Sequence, residues 1–232
     1  MKIRKTVLAL ALLSLAAATA PFSYPAALAQ SNDGKLVFAD FETVKDGRAQ
    51  SNAGGVVQII SYQERPTLES RFKGLAGTNA PELVRLSKDD PNRAAAFEYE
   101  LQAPNQYAGV GLEVGAKAAE DGKPAALDVS GYKDLMLQLY VTGVETVRVE
   151  FVSRGQGMNL SSGYPQMTFK VKPGLNTYKV PLKSLSQPPW AEVKVSPKDV
   201  LKKLTAVNVF AFCDQCKQTK GTVVVDNMVF QN

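Results

Sequence analysis

Cys213 and Cys216 are the only cysteines among 232 residues, and a Cys-X-X-Cys spacing supports three chemistries. A redox pair needs its first thiol at a helix N-terminus, where the dipole stabilises the thiolate. Here the pair follows an apolar run, Val207–Phe212, and precedes Lys217–Gly221 and a further β-type run, so the context is strand to strand. A zinc site needs two more ligands, which neither histidine nor another cysteine can supply. The remaining chemistry is a local disulfide that tightens a loop in an oxidising compartment. A disulfide is therefore the expectation, with a redox pair as its alternative.

The chain contains no histidine. Serine and cysteine nucleophiles with an imidazole base are excluded, as are zinc sites built on imidazole. Carboxylate pairs are the enzymatic chemistry left open. Glu98 and Glu100 fall on one face of a strand, about 7 Å apart, within the range of glycosidase pairs. Acids at this spacing are also common on solvent faces, and nothing around them in sequence would raise a pKa.

Charge and leader set the compartment. Lys2, Arg4 and Lys5 precede the apolar run Val7–Ala18, which is short for a bilayer span, and Ala27-Leu28-Ala29 has the small-X-small pattern of a signal-peptidase site. Residues 1–29 read as a signal peptide and 30–232 as one domain, periplasmic or secreted, with no membrane insertion after processing. Of 27 basic residues three stand in the leader, leaving 24 against 22 acids. A balance of +2 gives no electrostatic footprint for nucleic acid.

The elements that must position any site are short β-type runs broken by Gly, Pro, Asn and Asp. The strands expected are 36–41, 56–62, 82–87, 95–102, 108–114, 134–141, 146–153, 166–171, 176–181, 205–212 and 222–230, which argues for a sandwich or barrel. One helix is expected, with Ser196 as N-cap and Pro197 at its first position, running through Leu204. No βαβ rhythm appears, and with it goes the nucleotide-binding α/β class.

Alternation assigns faces. Leu135, Leu137, Leu139 and Val141 lie opposite Met136, Gln138 and Tyr140; Val147, Val149 and Phe151 lie opposite Arg148, Glu150 and Val152. If the two strands are neighbours, Gln138, Tyr140, Arg148 and Glu150 form a polar outer face where a ring could stack on sugars and charged groups could bond hydroxyls. Such a face is also what any antiparallel sheet turns to water. Trp190, in Gln187-Pro188-Pro189-Trp190-Ala191, is the only tryptophan, either a stacking platform or an anchor for its loop. Tyr107 and Tyr164 are weaker candidates, expected in polar loops.

Three blocks carry a family resemblance: Asp40-Phe41-Glu42, Asp128-Val129-Ser130-Gly131-Tyr132, and Gly221–Phe230 with its Val225-Asp226-Asn227-Met228 core. Tyr178–Leu182, Trp190 and Leu204–Val207 follow in the matching order. Together they resemble a galactose-binding-domain-like jelly roll, most nearly family 11 carbohydrate-binding modules and more distantly CIA30-like sandwiches. The resemblance implies an all-β two-sheet jelly-roll sandwich with one short helix. It further implies non-catalytic binding of a glycan or glycoconjugate, and a structural calcium held by Asp40, Glu42 and Asp226 with backbone oxygens and water. Two departures stand beside it: the chain reads as standing alone, without the attached catalytic domain for which a module would gather substrate, and it carries the Cys-X-X-Cys element. The alternatives are an envelope structural or assembly protein that docks a protein partner, and, behind it, a glycan-active enzyme.

Overall fold

The computed structural model describes residues 34–63, 68–89, 91–115, 125–158, 160 and 163–232. The expected signal peptide with its cleavage site, and the residues 116–124, lie outside them. Fourteen strands are present among the described residues: β1 (Lys35–Ala39), β2 (Val44–Lys45), β3 (Arg48–Ala49), β4 (Gly54–Ser61), β5 (Arg71–Lys73), β6 (Glu82–Arg85), β7 (Arg93–Leu101), β8 (Gln106–Val114), β9 (Asp134–Val141), β10 (Thr146–Val152), β11 (Gln166–Lys170), β12 (Asn176–Pro181), β13 (Ala206–Cys213) and β14 (Thr219–Gln231). Eleven match expected strands within three residues at either end. The short β2–β3 hairpin and β5 carry too few alternating apolar positions to be read from sequence.

Pairing is antiparallel throughout and builds two large sheets. The first runs β12-β9-β14-β7-β5, with β1 beside β14 and β6 beside β7; the second runs β11-β10-β13-β8-β4. From β7 to β10 successive strands alternate between sheets, and β12, β13 and β14 do so again, a jelly-roll path. The expected all-β sandwich is the observed fold. Alternation is what closes it, since every second residue of β9 and β10 is buried. Phe230 of β14 meets Phe151 of β10 across the interior at 6.4 Å between centroids, with Phe38 at 5.7 Å and Tyr132 at 6.0 Å. All four are buried, and aromatic area of this size dominates core energetics.

The one α-helix, α1, spans Pro197–Leu201. Ser196 holds the extended N-cap geometry, but its hydroxyl makes no capping bond, and the helix stops short of Leu204. Leu204 instead exchanges backbone hydrogen bonds with Leu127, so a β-bridge competes for the backbone groups that would extend the helix.

Candidate functional site

Register decides which predicted residues share a face. β9 belongs to the first sheet and β10 to the second, so Gln138 and Tyr140 lie on one outer face of the sandwich and Arg148 and Glu150 on the other. The shared polar face expected from alternation does not form, because the chain crosses between sheets after β9 and β9 pairs with β12 and β14 instead. Alternation fixes the side of a strand, whereas topology fixes its neighbours.

On the second sheet, directly opposed residues form rows across the strands. One row runs Gln58, Gly111, Asn208, Glu150 and Gln166; the next runs Ile60, Gly109, Phe210, Arg148 and Thr168. A third holds Tyr107, Phe212, Thr146 and Lys170. Two glycines thus stand where neighbouring strands carry large side chains. A Cβ on Gly109 would lie 2.0 Å from the Val209 carbonyl oxygen and 2.6 Å from Phe210, and one on Gly111 would lie 2.3 Å from Ile60 Cδ1. The bare backbone lets neighbouring side chains settle low over the strand, the usual reason for glycine within a sheet. Beside it a cavity of about 200 Å³ is lined by Gln58, Ile60, Glu113, Arg154 and Asn208, among others.

Arg148 organises this face. Its guanidinium carbon stands 4.5 Å from the centroid of Phe212, 5.3 Å from Tyr107 and 5.4 Å from Phe210. Tyr107 and Phe210 pack at 4.7 Å, and Tyr62 meets Tyr107 edge-on at 6.1 Å. Although Phe210 points away from the core, Arg148 and Tyr107 leave it 3% exposed. Arg148 Nε lies 3.1 Å from Glu150 Oε1, in a pair whose side chains are 12% and 17% exposed. The Nε hydrogen finds no aligned acceptor among the described residues, so the contact is ionic rather than hydrogen-bonded. Burial raises the Glu150 pKa, while the Arg148 charge and the Asn208 side-chain hydrogen bond pull it back. A relay completes the floor: Asn79 Nδ2 donates to Gln58 Oε1 at 3.1 Å, and Gln58 Nε2 donates to Glu113 Oε1 at 3.2 Å. The face therefore combines aromatic walls with fixed donors and acceptors.

Tyr107 is in β8, not a loop, and it is part of this wall. Tyr164 is buried and donates to the Leu160 carbonyl. Gln58, Glu113, Asn208 and the two glycines escaped the sequence reading. Their signal was Gly-Val-Gly inside an alternating strand and one asparagine interrupting the apolar run 206–212.

The paired acids of β7 are otherwise engaged. Glu98 lies 3.6 Å from Lys73 with both side chains exposed, and Gln218 donates to Glu100 at 2.8 Å. Cys213 and Cys216 are disulfide-bonded and close the turn after β13.

Asp40, Glu42 and Asp226 come into one neighbourhood, where the two loop acids act electrostatically on Asp226. Burial is the first cause of Asp226's raised pKa, and their repulsion adds to it. Each carboxylate is already held by protein donors. Asn92 Nδ2 and the Asn227 backbone N–H both donate to Asp226 at 2.7 Å. Arg93 grips Glu42 through its backbone N–H, its Nε and its Nη2. Asp40 accepts from the Glu42 N–H and from Asn52 Nδ2, each at 3.0 Å. No cluster of three or more metal-ligating side chains forms among the described residues. Arg93 supplies the positive charge here, and these acids as placed do not fit the calcium cage that the resemblance implies.

The all-antiparallel two-sheet sandwich is a fold that this chain shares with solved carbohydrate-binding modules. The chain is similar to the family 11 module of the cellulosomal cellulase Lic26A-Cel5E of Clostridium thermocellum, at TM-score 0.51 and 14% identity over 87% of this chain and 96% of that one. It is equally similar to a family 11 module from Clostridium thermocellum in complex with a β-1,3-1,4-mixed-linked tetrasaccharide, at TM-score 0.52 and 13% identity over 87% and 98%. No family model and no curated protein matches the sequence.

Proposed function

We propose that this is an exported, non-catalytic protein that binds a neutral polysaccharide chain on the outer face of the β11-β10-β13-β8-β4 sheet. The observation that carries the reading is the Arg148–Glu150 pair, set among three aromatic rings and beside a glycine-floored polar groove. Sugar rings present apolar faces and hydroxyl edges, and binding sites for such ligands combine apolar walls with few, fixed polar groups. Arg148 and Arg154 are matched by Glu150 and Glu113, so the charges of the groove balance and it favours uncharged chains over anionic ones. The solved module holding a mixed-linked tetrasaccharide supports a glycan as the ligand class. The leader-like residues 1–29 support export.

Geometry argues against hydrolysis. Glu150 has the raised pKa of a general acid, but Glu113 stands two strands away and two residues along, about 12 Å between backbone positions. Each carboxylate also accepts from its own neighbouring amide, Glu113 from Gln58 and Glu150 from Asn208, with no contact between the two acids. Calcium is given no role, for the reasons of donor chemistry above.

Calorimetric titration of residues 30–232 with soluble β-glucan, xylan, galactomannan and alginate tests the reading. Binding to at least one neutral polymer but not to alginate is expected, with Asn208→Ala about tenfold weaker and Lys73→Ala, on the opposite sheet, unchanged. Binding by neither class, or equal loss in both variants, overturns it.

A further inference from the structure

The polar row does not end at the edge strand. Gln166 of β11, opposite Glu150, is itself opposed by Ser186 in an isolated antiparallel bridge, with backbone hydrogen bonds in both directions between the two residues. Gln58, Gly111, Asn208, Glu150, Gln166 and Ser186 therefore make one continuous row of six positions, about 24 Å long at ordinary strand spacing. Four residues beyond Ser186 stands Trp190, 62% exposed.

The loop that carries Trp190 is built to hold its shape. Gln187 is its clamp: Nε2 donates to the Gly163 and Val193 carbonyls at 2.9 and 2.8 Å, and Oε1 accepts from the Val195 N–H at 2.8 Å. The Ala191 N–H closes onto the Pro188 carbonyl, and Pro188 is buried. Gly163 lies so close beneath that a Cβ there would come within 2.7 Å of Ala191 and 3.4 Å of the Trp190 ring. Exposure removes the anchoring role that a lone tryptophan usually has, because this indole covers little of the sandwich. A large apolar ring carried into water on a clamped loop gains little for folding and is presented for a ligand.

We propose that Trp190 is a stacking subsite at the β11 end of the groove, so that the preferred ligand is a linear neutral polysaccharide running across the strands for about six sugar rings. This rests on the groove reading and extends it beyond the sheet. An extended glycan advances by roughly one ring per strand spacing, so a chain seated over Gln58 and Asn208 reaches Trp190 only when it is long. The aromatic surface that the Glu150–Gln166 end of the row lacks is supplied by the loop.

Because Trp190 is the sole tryptophan, its fluorescence reports on this subsite alone. Mixed-linkage β-glucan, its hexasaccharide and a trisaccharide are the probes, with calorimetry run in parallel and the neutral polymers above as reserve. The polymer and hexasaccharide should shift the emission to the blue and shield it from acrylamide. Trp190→Ala should keep the wild-type melting temperature and weaken hexasaccharide binding about tenfold, narrowing its advantage over the trisaccharide, and Trp190→Phe should recover part of the loss. If the hexasaccharide binds and Asn208→Ala weakens it while Trp190 stays unshielded, the subsite is wrong and the groove stands. If no neutral polymer binds, both fall.

Discussion

Arg148 and Phe212 share the outer face of the second sheet, the guanidinium carbon 4.5 Å from the ring centroid, and Phe212 directly precedes the disulfide-bonded Cys213. This contact ties the groove to the strand end that the disulfide holds. It also makes Arg148 a buried structural cation as well as a presented donor, unlike the solvated face residue that strand alternation alone describes.

Substitutions of Arg148 should therefore register in both stability and affinity. Arg148→Ala uncovers Phe210 and strands the buried Glu150 charge, at a cost of about 3–5 kcal/mol. Arg148→Lys keeps the charge but loses the planar fork that lies over the rings. It should fold with a smaller melting-temperature loss and still bind glycan weakly. Tyr140→Ala, on the opposite face, should leave affinity unchanged. Thermal melts paired with titration of the three variants check this; an affinity loss in Tyr140→Ala would move the site to the first sheet.

The two glycines of β8 should part company. A methyl at Gly109 meets the Val209 carbonyl, part of the paired strand, and the sheet must open to take it. Gly109→Ala should lose stability by about 1–3 kcal/mol. At Gly111 the obstacle is the flexible tip of Ile60, with Asn208 Oδ1 at 3.1 Å. Gly111→Ala should keep most of its stability yet weaken binding, because the displaced Ile60 and the new methyl fill the groove floor. Denaturant midpoints and titrations on both variants separate the effects, and a Gly111→Ala protein of unaltered affinity would show that ligand does not approach this floor.

Much of the scaffold was legible because its physics is local. The alternation in 135–141 and 147–151 dictated which side chains enter the core, and the termini of β9 and β12 followed from the turn residues around them. What alternation could not carry was the pairing of β10 with β13 and β11, a long-range fact set by how the whole chain packs. Hence Arg148 and Glu150 were found but joined to the wrong partners. Asn208, Gln58 and the glycines became meaningful only once register put them in one row. The Asp40, Glu42 and Asp226 grouping was legible as proximity; that Arg93 would clamp Glu42 was not, since Arg93 lies 51 residues away in sequence.

Acid should weaken binding before it weakens the fold. Because burial raises the Glu150 pKa, the folded state takes up its proton more readily than the unfolded chain does. The contribution of this group to stability therefore grows as pH falls through the raised value. Asp226, also raised by burial, acts with the same sign. Protonation nevertheless removes the charge that holds Arg148 in place. Glycan affinity should start to fall above the ordinary carboxylate range while the melting temperature holds, and Glu150→Gln should flatten the profile. Affinity that changes only together with unfolding would contradict this.

The location of the site is the central claim, and backbone amide mapping tests it most directly. With ¹⁵N-labelled protein and saturating neutral polysaccharide fragments, the account predicts shifts concentrated on Tyr107, Gly111, Glu150, Gln166 and Asn208, with Gln138, Tyr140 and Val224 still. Shifts centred on Gln138 and Tyr140, with the glycine-floored sheet silent, would contradict it.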